Sequence, residues 1–452
     1  MKKRKFRLFD AILATVCIIL VAESVAPAAS IGNSQYFWWI LLLIGFFLPY
    51  GLISAELGSA YPSEGGMYDW VKRAFGKKWA ARVAWYYWIN FPLWISALAL
   101  LTTDILAQLL DIEFSLGALL AICFAYIGLV TIAGFFRIGD SKWLVNIGAL
   151  FKVVMMSLLG FLGIYVAINY GFANEYTLSS MLPSLDFVGI GFISVIIFNF
   201  MGFEVISTFS NDMENPRKEI PKAILVGGIL IAIFYLLPAF GIGVAIPYEE
   251  ISTSTGIVDS FSLLLGSIGL SEGFINGFIW VIGIMFIYTL VANVISWSFG
   301  INSVARYSAL DGSLPKPFTE VNKDGVPYKT AIINAVVAAV VVIAALLIEN
   351  EDAFWTFFAF SLITFLLSYA PLFPAFLKLR KTDASTERPY MAPIKEGFLG
   401  VFSYVPLVLL LAGIFFTLFP EFNGEMLEYQ WPLLVGVAIA IIIGEVIAYD
   451  KK

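Results

Sequence analysis

Twelve long apolar runs, separated by charged or Pro/Gly-bearing breaks, constrain this 452-residue chain more than any other feature. A run of about 18 residues or more is long enough to cross a bilayer as a helix. The runs lie near residues 8–30, 36–60, 81–109, 115–136, 142–168, 185–211, 217–246, 272–305, 327–348, 352–379, 397–419 and 429–449, here spans 1 to 12. Soluble domains carry about 25% charged residues, whereas this chain has 13%, with 60% hydrophobic. A water-soluble globule is excluded. The expected fold is an all-α polytopic membrane protein with 12 transmembrane helices. Span 1 is too long, and too poorly followed by a small-residue cleavage site, to be a removed signal peptide.

Charge sorts the connecting loops onto two sides. Of the 27 Lys and Arg residues, all but Lys152 fall before span 1, after an even-numbered span, or at the chain end. The alternate loops hold only acids, among them Asp111, Glu113, Glu175, Glu249, Glu250, Glu349, Glu351, Asp352, Glu421, Glu425 and Glu428. A wrong number of spans would scramble this alternation. The positive-inside rule then places both termini and the basic loops in the cytoplasm of a multi-pass protein of the cell (cytoplasmic) membrane.

Histidine is absent, and Cys17 and Cys123 lie in apolar runs. Imidazole acid–base chemistry, a disulfide framework and a thiolate metal site are therefore excluded. No nucleophile–base motif is present either, so no enzyme, cofactor or metal is expected. A net charge of −6 offers nothing to nucleic acid. The expected partners are a small solute and the lipid bilayer.

The remaining information lies in polar groups that are costly at membrane depth. Lys152 sits well inside span 5, ten residues from Lys142, about 15 Å along a helix at 1.5 Å per residue. An intramembrane Lys costs about 2.5–3.5 kcal/mol on insertion scales and normally faces a partner or a water-filled cavity. The alternative is a lysine that snorkels to the surface. Glu23 lies in span 1 within Val21-Ala22-Glu23-Ser24-Val25-Ala26-Pro27, and Glu204 in span 6 within Met201-Gly202-Phe203-Glu204. Each acid stands beside a helix breaker or small residue, and irregular backbone at that depth is tolerated only where it lines protein or a cavity. Spans 1 and 6 hold the same place in two runs of five. Matching broken helices in two halves point to the midplane site of an inverted-repeat transporter. Otherwise each acid simply bonds a neighbouring helix. Glu56, near the basic end of span 2, reads as solvated or salt-bridged, and Asn199, Asn293 and Asn302 as interhelical hydrogen-bond glue. Most Trp and Tyr read as interfacial belts, but Trp297 is mid-span and its indole N–H needs a partner or a cavity.

Four segments resemble the amino acid–polyamine–organocation (APC) superfamily of transporters. They are Tyr61-Pro62-Ser63-Glu64-Gly65-Gly66-Met67-Tyr68-Asp69-Trp70, Gly202-Phe203-Glu204 with Glu214-Asn215-Pro216-Arg217-Lys218-Glu219-Ile220-Pro221, Asp311-Gly312-Ser313-Leu314-Pro315-Lys316, and Arg388-Pro389-Tyr390. The resemblance implies the LeuT-type 5+5 inverted repeat, residues 1–168 and 185–379, with spans 11 and 12 (397–449) appended. It implies alternating access around a site built by spans 1, 3, 6, 8 and 10. Trp297 falls where an arginine/agmatine antiporter keeps a substrate-packing tryptophan, Phe198 where such proteins hold an aromatic gate, and Glu204 at a glutamate used in proton sensing or gating. Lys152 resembles the span 5 lysine of sodium-independent members, so sodium coupling is not expected.

One departure sharpens the substrate class. Many relatives have a Gly-rich stretch at the span 1 break that cradles a substrate carboxylate, whereas here it reads Glu23-Ser24-Val25-Ala26-Pro27. A carboxylate there repels an anionic end and attracts an ammonium, and the stretch is similar to that of polyamine-uptake members. The expected substrate-binding residues are Glu23, Ser24, Phe198, Gly202, Phe203, Glu204 and Trp297, with Lys152 and Glu204 in coupling or gating. The expected function is an antiporter of a cationic amine or amino acid, similar to bacterial agmatine–putrescine antiporters. The alternative is a proton-coupled importer of neutral amino acids.

Overall fold

The computed structural model describes residues 6–183, 193–252, 254–347, 353–419 and 424–449. Its described elements are helices with no strand among them. Eleven described helices are long and apolar enough to cross a membrane. The twelfth expected span, the sixth, is interrupted: its described parts are Ile193–Asn199 and Val205–Thr208, while residues 185–192 lie outside the described residues. The chain is a polytopic all-α membrane protein, as the apolar runs predict.

Two halves of the element order correspond. Span 1 (Leu8–Ile19 and Val25–Ala29) and span 6 are each split at mid-course. Spans 2 and 7 are each followed by a shorter helix, Met67–Phe75 and Gly256–Ser267 respectively. The longest helices come next in each half, span 3 (Lys77–Leu110) and span 8 (Glu272–Leu310). Span 10 breaks between Ala353–Tyr369 and Leu372–Thr382, where Pro371 interrupts the ladder.

Span 1 cannot run on as one helix because of Pro27. Its ring would clash with the carbonyl of Glu23, four residues back. The chain instead extends at Leu20 and Val21, makes one 3₁₀ turn at Ala22–Ser24, and restarts with Pro27 in the first helical turn, where its missing N–H is harmless. Span 6 breaks at Gly202, whose φ of +123° is unfavourable for any residue with a Cβ. An added Cβ would also lie 3.0 Å from Trp297 and 3.1 Å from Ile18 and Ile19. The two breaks therefore touch. Span 5 (Ile138–Tyr170) and span 7 (Pro216–Ala245) close in behind them. Gly163 and Gly241 allow that approach: a Cβ on Gly163 would fall 2.5 Å from the Gly241 Cα.

Candidate functional site

Breaking a buried helix strips backbone carbonyls of their partners, and each must be satisfied by some other donor. At the span 1 break the donors are side chains from three other helices. Lys152 Nζ of span 5 donates to the Cys17 carbonyl at 2.8 Å and also to the Leu20 carbonyl. Asn293 Nδ2 of span 8 donates to Cys17 and Ile18, both at 3.1 Å, and Trp297 Nε1 to Ile18 at 3.1 Å. Tyr235 of span 7 donates its hydroxyl to the Ile19 carbonyl at 2.5 Å and accepts from the Val21 N–H at 2.8 Å. Ser24 Oγ donates to the Val21 carbonyl at 2.7 Å and also bonds Asn199 Oδ1 across to span 6. Lys152 is fully buried, so it does not snorkel. Its charge lies against the negative end of the first half-helix, where a cation is favoured.

Glu23 is also fully buried, and neither carboxylate oxygen has a hydrogen-bond partner among the described residues. Lys152 lies within electrostatic reach of it, as do Tyr126 and Tyr235. A buried carboxylate without a hydrogen bond is expensive.

Span 6 solves the same problem with the opposite polarity. Its freed N–H groups at Gly202 and Phe203 both donate to the Tyr50 hydroxyl, at 3.0 and 2.9 Å. Tyr50 in turn donates to Glu204, which also accepts from Tyr87 at 2.7 Å and from Tyr369. Glu204 thus ties together spans 2, 3, 6 and 10. Phe198 is buried with its ring 5.3 Å from Trp94 and 5.6 Å from Phe365, centroid to centroid. Phe365 continues to Trp297 at 5.3 Å and to Tyr369 at 4.8 Å. This aromatic wall runs from the Trp297–Gly202 contact to the Glu204 hydroxyl cluster.

The structure brings Ser24, Gly202 and Trp297 together at the facing breaks, with Lys152 behind them. It does not put Glu23 and Glu204 in one polar cluster: Glu204 is taken up by hydroxyls, and Glu23 shares no partner with it. The Phe203 ring turns toward Phe47 and Tyr50, at 5.1 and 5.5 Å, so only its backbone meets the break. Reading the tyrosines mostly as interfacial belts misses Tyr50, Tyr87, Tyr235 and Tyr369. All four are buried, and their position in the interior of apolar helices is the signal that could have marked them.

The side bearing the basic loops carries two further polar clusters. Glu56 is salt-bridged, as its sequence position suggests, but it is buried rather than solvated: Arg380 lies at 2.5 Å, Arg388 at 3.2 Å, and the Ala392 N–H at 2.8 Å. Asp311, just past span 8, pairs with Lys72 at 2.7 Å and accepts from Tyr68 at 2.5 Å. Burial pushes the Asp311 carboxyl up, but the Lys72 and Tyr68 bonds outweigh it and hold the group below its ordinary value. On the same side a cavity of about 240 Å³ reaches from Thr208 at the end of span 6 to Arg137 and Asp324 in the neighbouring loops. On the acidic side, Asn33 Nδ2 donates to the Glu175 carbonyl at 2.6 Å and Tyr248 donates to Asn33 Oδ1, stapling the loops after spans 1, 5 and 7.

Comparison with known proteins follows the same lines. A family model described as amino acid permease matches residues 6–444. A probable agmatine/putrescine antiporter, AguD, of Lactococcus lactis subsp. lactis is 46% identical over 99% of this chain and 96% of its own length. A glutamate/gamma-aminobutyrate antiporter of the same organism is 22% identical over 100% of the chain and 92% of its own. A probable polyamine transporter of Arabidopsis thaliana is 25% identical over 78% of the chain and 68% of its own.

Proposed function

This chain belongs to the amino acid permease family of the amino acid–polyamine–organocation superfamily, and from that premise we propose that it exchanges a cationic amine of the agmatine or putrescine class across the cell membrane. The observation that carries the substrate class is Glu23, a buried carboxylate with no hydrogen-bond partner among the described residues, at a break whose carbonyls are already satisfied. A substrate ammonium or guanidinium supplies the missing donors. The 46% identical relative supports the same class. Trp297 and Phe198 pack the carbon chain, and a guanidinium over the indole gains about 0.5–2 kcal/mol.

Residues 1–168 and 185–379 act as two inverted repeats, with 397–449 appended. The matched breaks, the matched short helices and the matched long helices support this division. Exchange is alternating access around the two breaks, with the termini and basic loops in the cytoplasm. Ser24 and the Gly202 backbone orient the guest, and Glu204 gates. Each tyrosine bonded to Glu204 comes from a different helix, so moving one helix against another must exchange these bonds. Lys152 occupies the carbonyls of the first break with a fixed positive charge, which disfavours a sodium ion there by direct repulsion.

Proteoliposome counterflow tests the reading. Uptake of labelled agmatine or putrescine should require amine inside the vesicle and persist without sodium or a proton gradient. Strict dependence on a proton gradient, with alanine or serine competing and amines inert, would overturn it in favour of a neutral amino-acid importer.

A further inference from the structure

Two indoles reach the span 1 break, one directly and one through an amide. Trp297 Nε1 donates to the Ile18 carbonyl at 3.1 Å. Trp94 Nε1 of span 3 donates to Asn293 Oδ1 at 3.2 Å, and Asn293 Nδ2 donates onward to the Cys17 and Ile18 carbonyls, both at 3.1 Å. All three side chains are buried. The Asn293 amide has one workable orientation, because an indole N–H only donates and a backbone carbonyl only accepts.

The break does not need Asn293 to satisfy its carbonyls. Cys17 keeps Lys152 at 2.8 Å, and Ile18 keeps Trp297. Trp94 is placed differently: a buried indole N–H needs an acceptor, and Asn293 is the one it bonds. The amide is therefore redundant as a donor and needed as an acceptor. It serves as a link between Trp94 and the break.

The ring of Trp94 belongs to the aromatic wall. It lies 5.3 Å from Phe198 and 5.6 Å from Phe358, and those two lie 5.4 Å apart, so rings from spans 3, 6 and 10 close a triangle. From Phe198 the wall runs through Phe365 to Trp297. Both ends of the wall thus finish on Ile18, Trp297 by its own N–H and Trp94 by way of Asn293. Close-packed interiors have little compressibility and transmit displacement.

We propose that Trp94 and Asn293 are positioning residues that couple the aromatic wall to the span 1 break, so that the Phe198 ring and the carbonyls at Cys17 and Ile18 shift together. Their use in transport rests on the amine exchange proposed above; the link itself does not. A guest that engages Glu23 and displaces span 1 thereby moves the wall without touching Trp94.

Cys17 supplies a probe that needs no amine. It is fully buried in the first half-helix, as Cys123 is in span 4, and a buried thiol reacts only when its surroundings open. Maleimide labelling of the full chain in detergent, read peptide by peptide by mass spectrometry, follows the two thiols separately. Trp94→Phe keeps the ring, removes the N–H and alters no group on span 1. It should speed Cys17 labelling about fivefold or more with Cys123 within about twofold of the parent, a size ordinary for residues that share a hydrogen-bond network. Asn293→Leu should act alike, and adding Trp94→Phe to it should change nothing further; if Asn293→Leu does not fold, Trp94→Phe decides alone. Unchanged Cys17 labelling in Trp94→Phe, equal acceleration at both cysteines, or single effects that multiply in the double variant would overturn the proposal. In proteoliposomes loaded with labelled putrescine, Trp94→Phe should raise efflux into amine-free buffer relative to exchange, because a wall released from the break leaks. A fall in both rates alike counts against the coupling. A parent protein that exchanges no amine overturns the exchange reading alone, since Cys17 still reports whether the link exists.

Discussion

The two helix breaks meet the same physical demand in opposite ways. At span 1 the stranded groups are carbonyls, and Lys152, Tyr235, Asn293 and Trp297 satisfy them. The local acid, Glu23, takes no part, and neither of its oxygens has a hydrogen-bond partner among the described residues. At span 6 the stranded groups are amides, one tyrosine hydroxyl accepts them, and the local acid is the hub of three tyrosine bonds. Two intramembrane glutamates that look equivalent as residues therefore differ in what they have left to offer. Glu204 is completed by the protein. Glu23, among the described residues, is not.

The sharpest way to break this contrast is to remove the cation that serves both the first break and Glu23. Lys152→Met strips the Leu20 carbonyl of its donor, leaves Cys17 with Asn293 alone, and removes a buried positive charge within electrostatic reach of Glu23. An unsatisfied buried carbonyl costs about 1–3 kcal/mol and a buried charge left without compensation costs more, so the unfolding temperature should fall steeply and transport should cease. A variant of wild-type stability would show that Lys152 does not hold the break. Next in size is Tyr50→Phe, which orphans two amides and one carboxylate bond. An unsatisfied buried group costs about 1–3 kcal/mol. Thermal unfolding should register a loss in that range, and none would mean the span 6 break finds its donors elsewhere.

Amine binding sharpens the comparison directly. Glu23→Gln should weaken putrescine or agmatine affinity by at least about tenfold, or about 1.4 kcal/mol, without loss of stability. Glu204→Gln, whose site is filled by hydroxyls, should change equilibrium affinity less and exchange rate more. Equal effects of the two substitutions on calorimetric affinity would erase the distinction. The smallest effect belongs to Asp311→Asn. Because this carboxyl is held low in the folded protein, its contribution is present above its unfolded value of about 3.9. It is lost as pH falls through the lower folded value. The pair is partly exposed, so the loss at neutral pH should be at most about 1 kcal/mol. The gap between variant and parent in a pH series of unfolding temperatures should be constant from neutral pH down and close only in strong acid.

Much of this was legible in the residues. Apolar run length and the alternation of basic and acidic loops fix the spans and their relative direction, because both follow from transfer costs that each residue carries with it. Pro27 and Gly202 mark the breaks for equally local reasons, a missing donor with a ring clash in one case and a positive φ in the other. Lys152, Glu23, Glu204 and Trp297 are conspicuous for what they cost at depth. Glu56 reads as salt-bridged, yet nothing in span 2 says that its two arginines come from residues 380 and 388, or that they bury it.

What each expensive group does with its charge was decided by tertiary structure alone. Tyr50, Tyr87 and Tyr369 are ordinary residues of three separate helices, and only the packing of spans 2, 3 and 10 around span 6 turns them into a shell that satisfies Glu204. The carbonyls at Cys17, Ile18, Ile19 and Leu20 are invisible in any sequence, since every residue has one. They stand out here, and so does Glu23, because spans 5, 7 and 8 deliver donors to the backbone and, among the described residues, none to the Glu23 side chain. Hydrogen bonding at membrane depth is a matter of which helices meet, and a linear pattern prices the groups without pairing them.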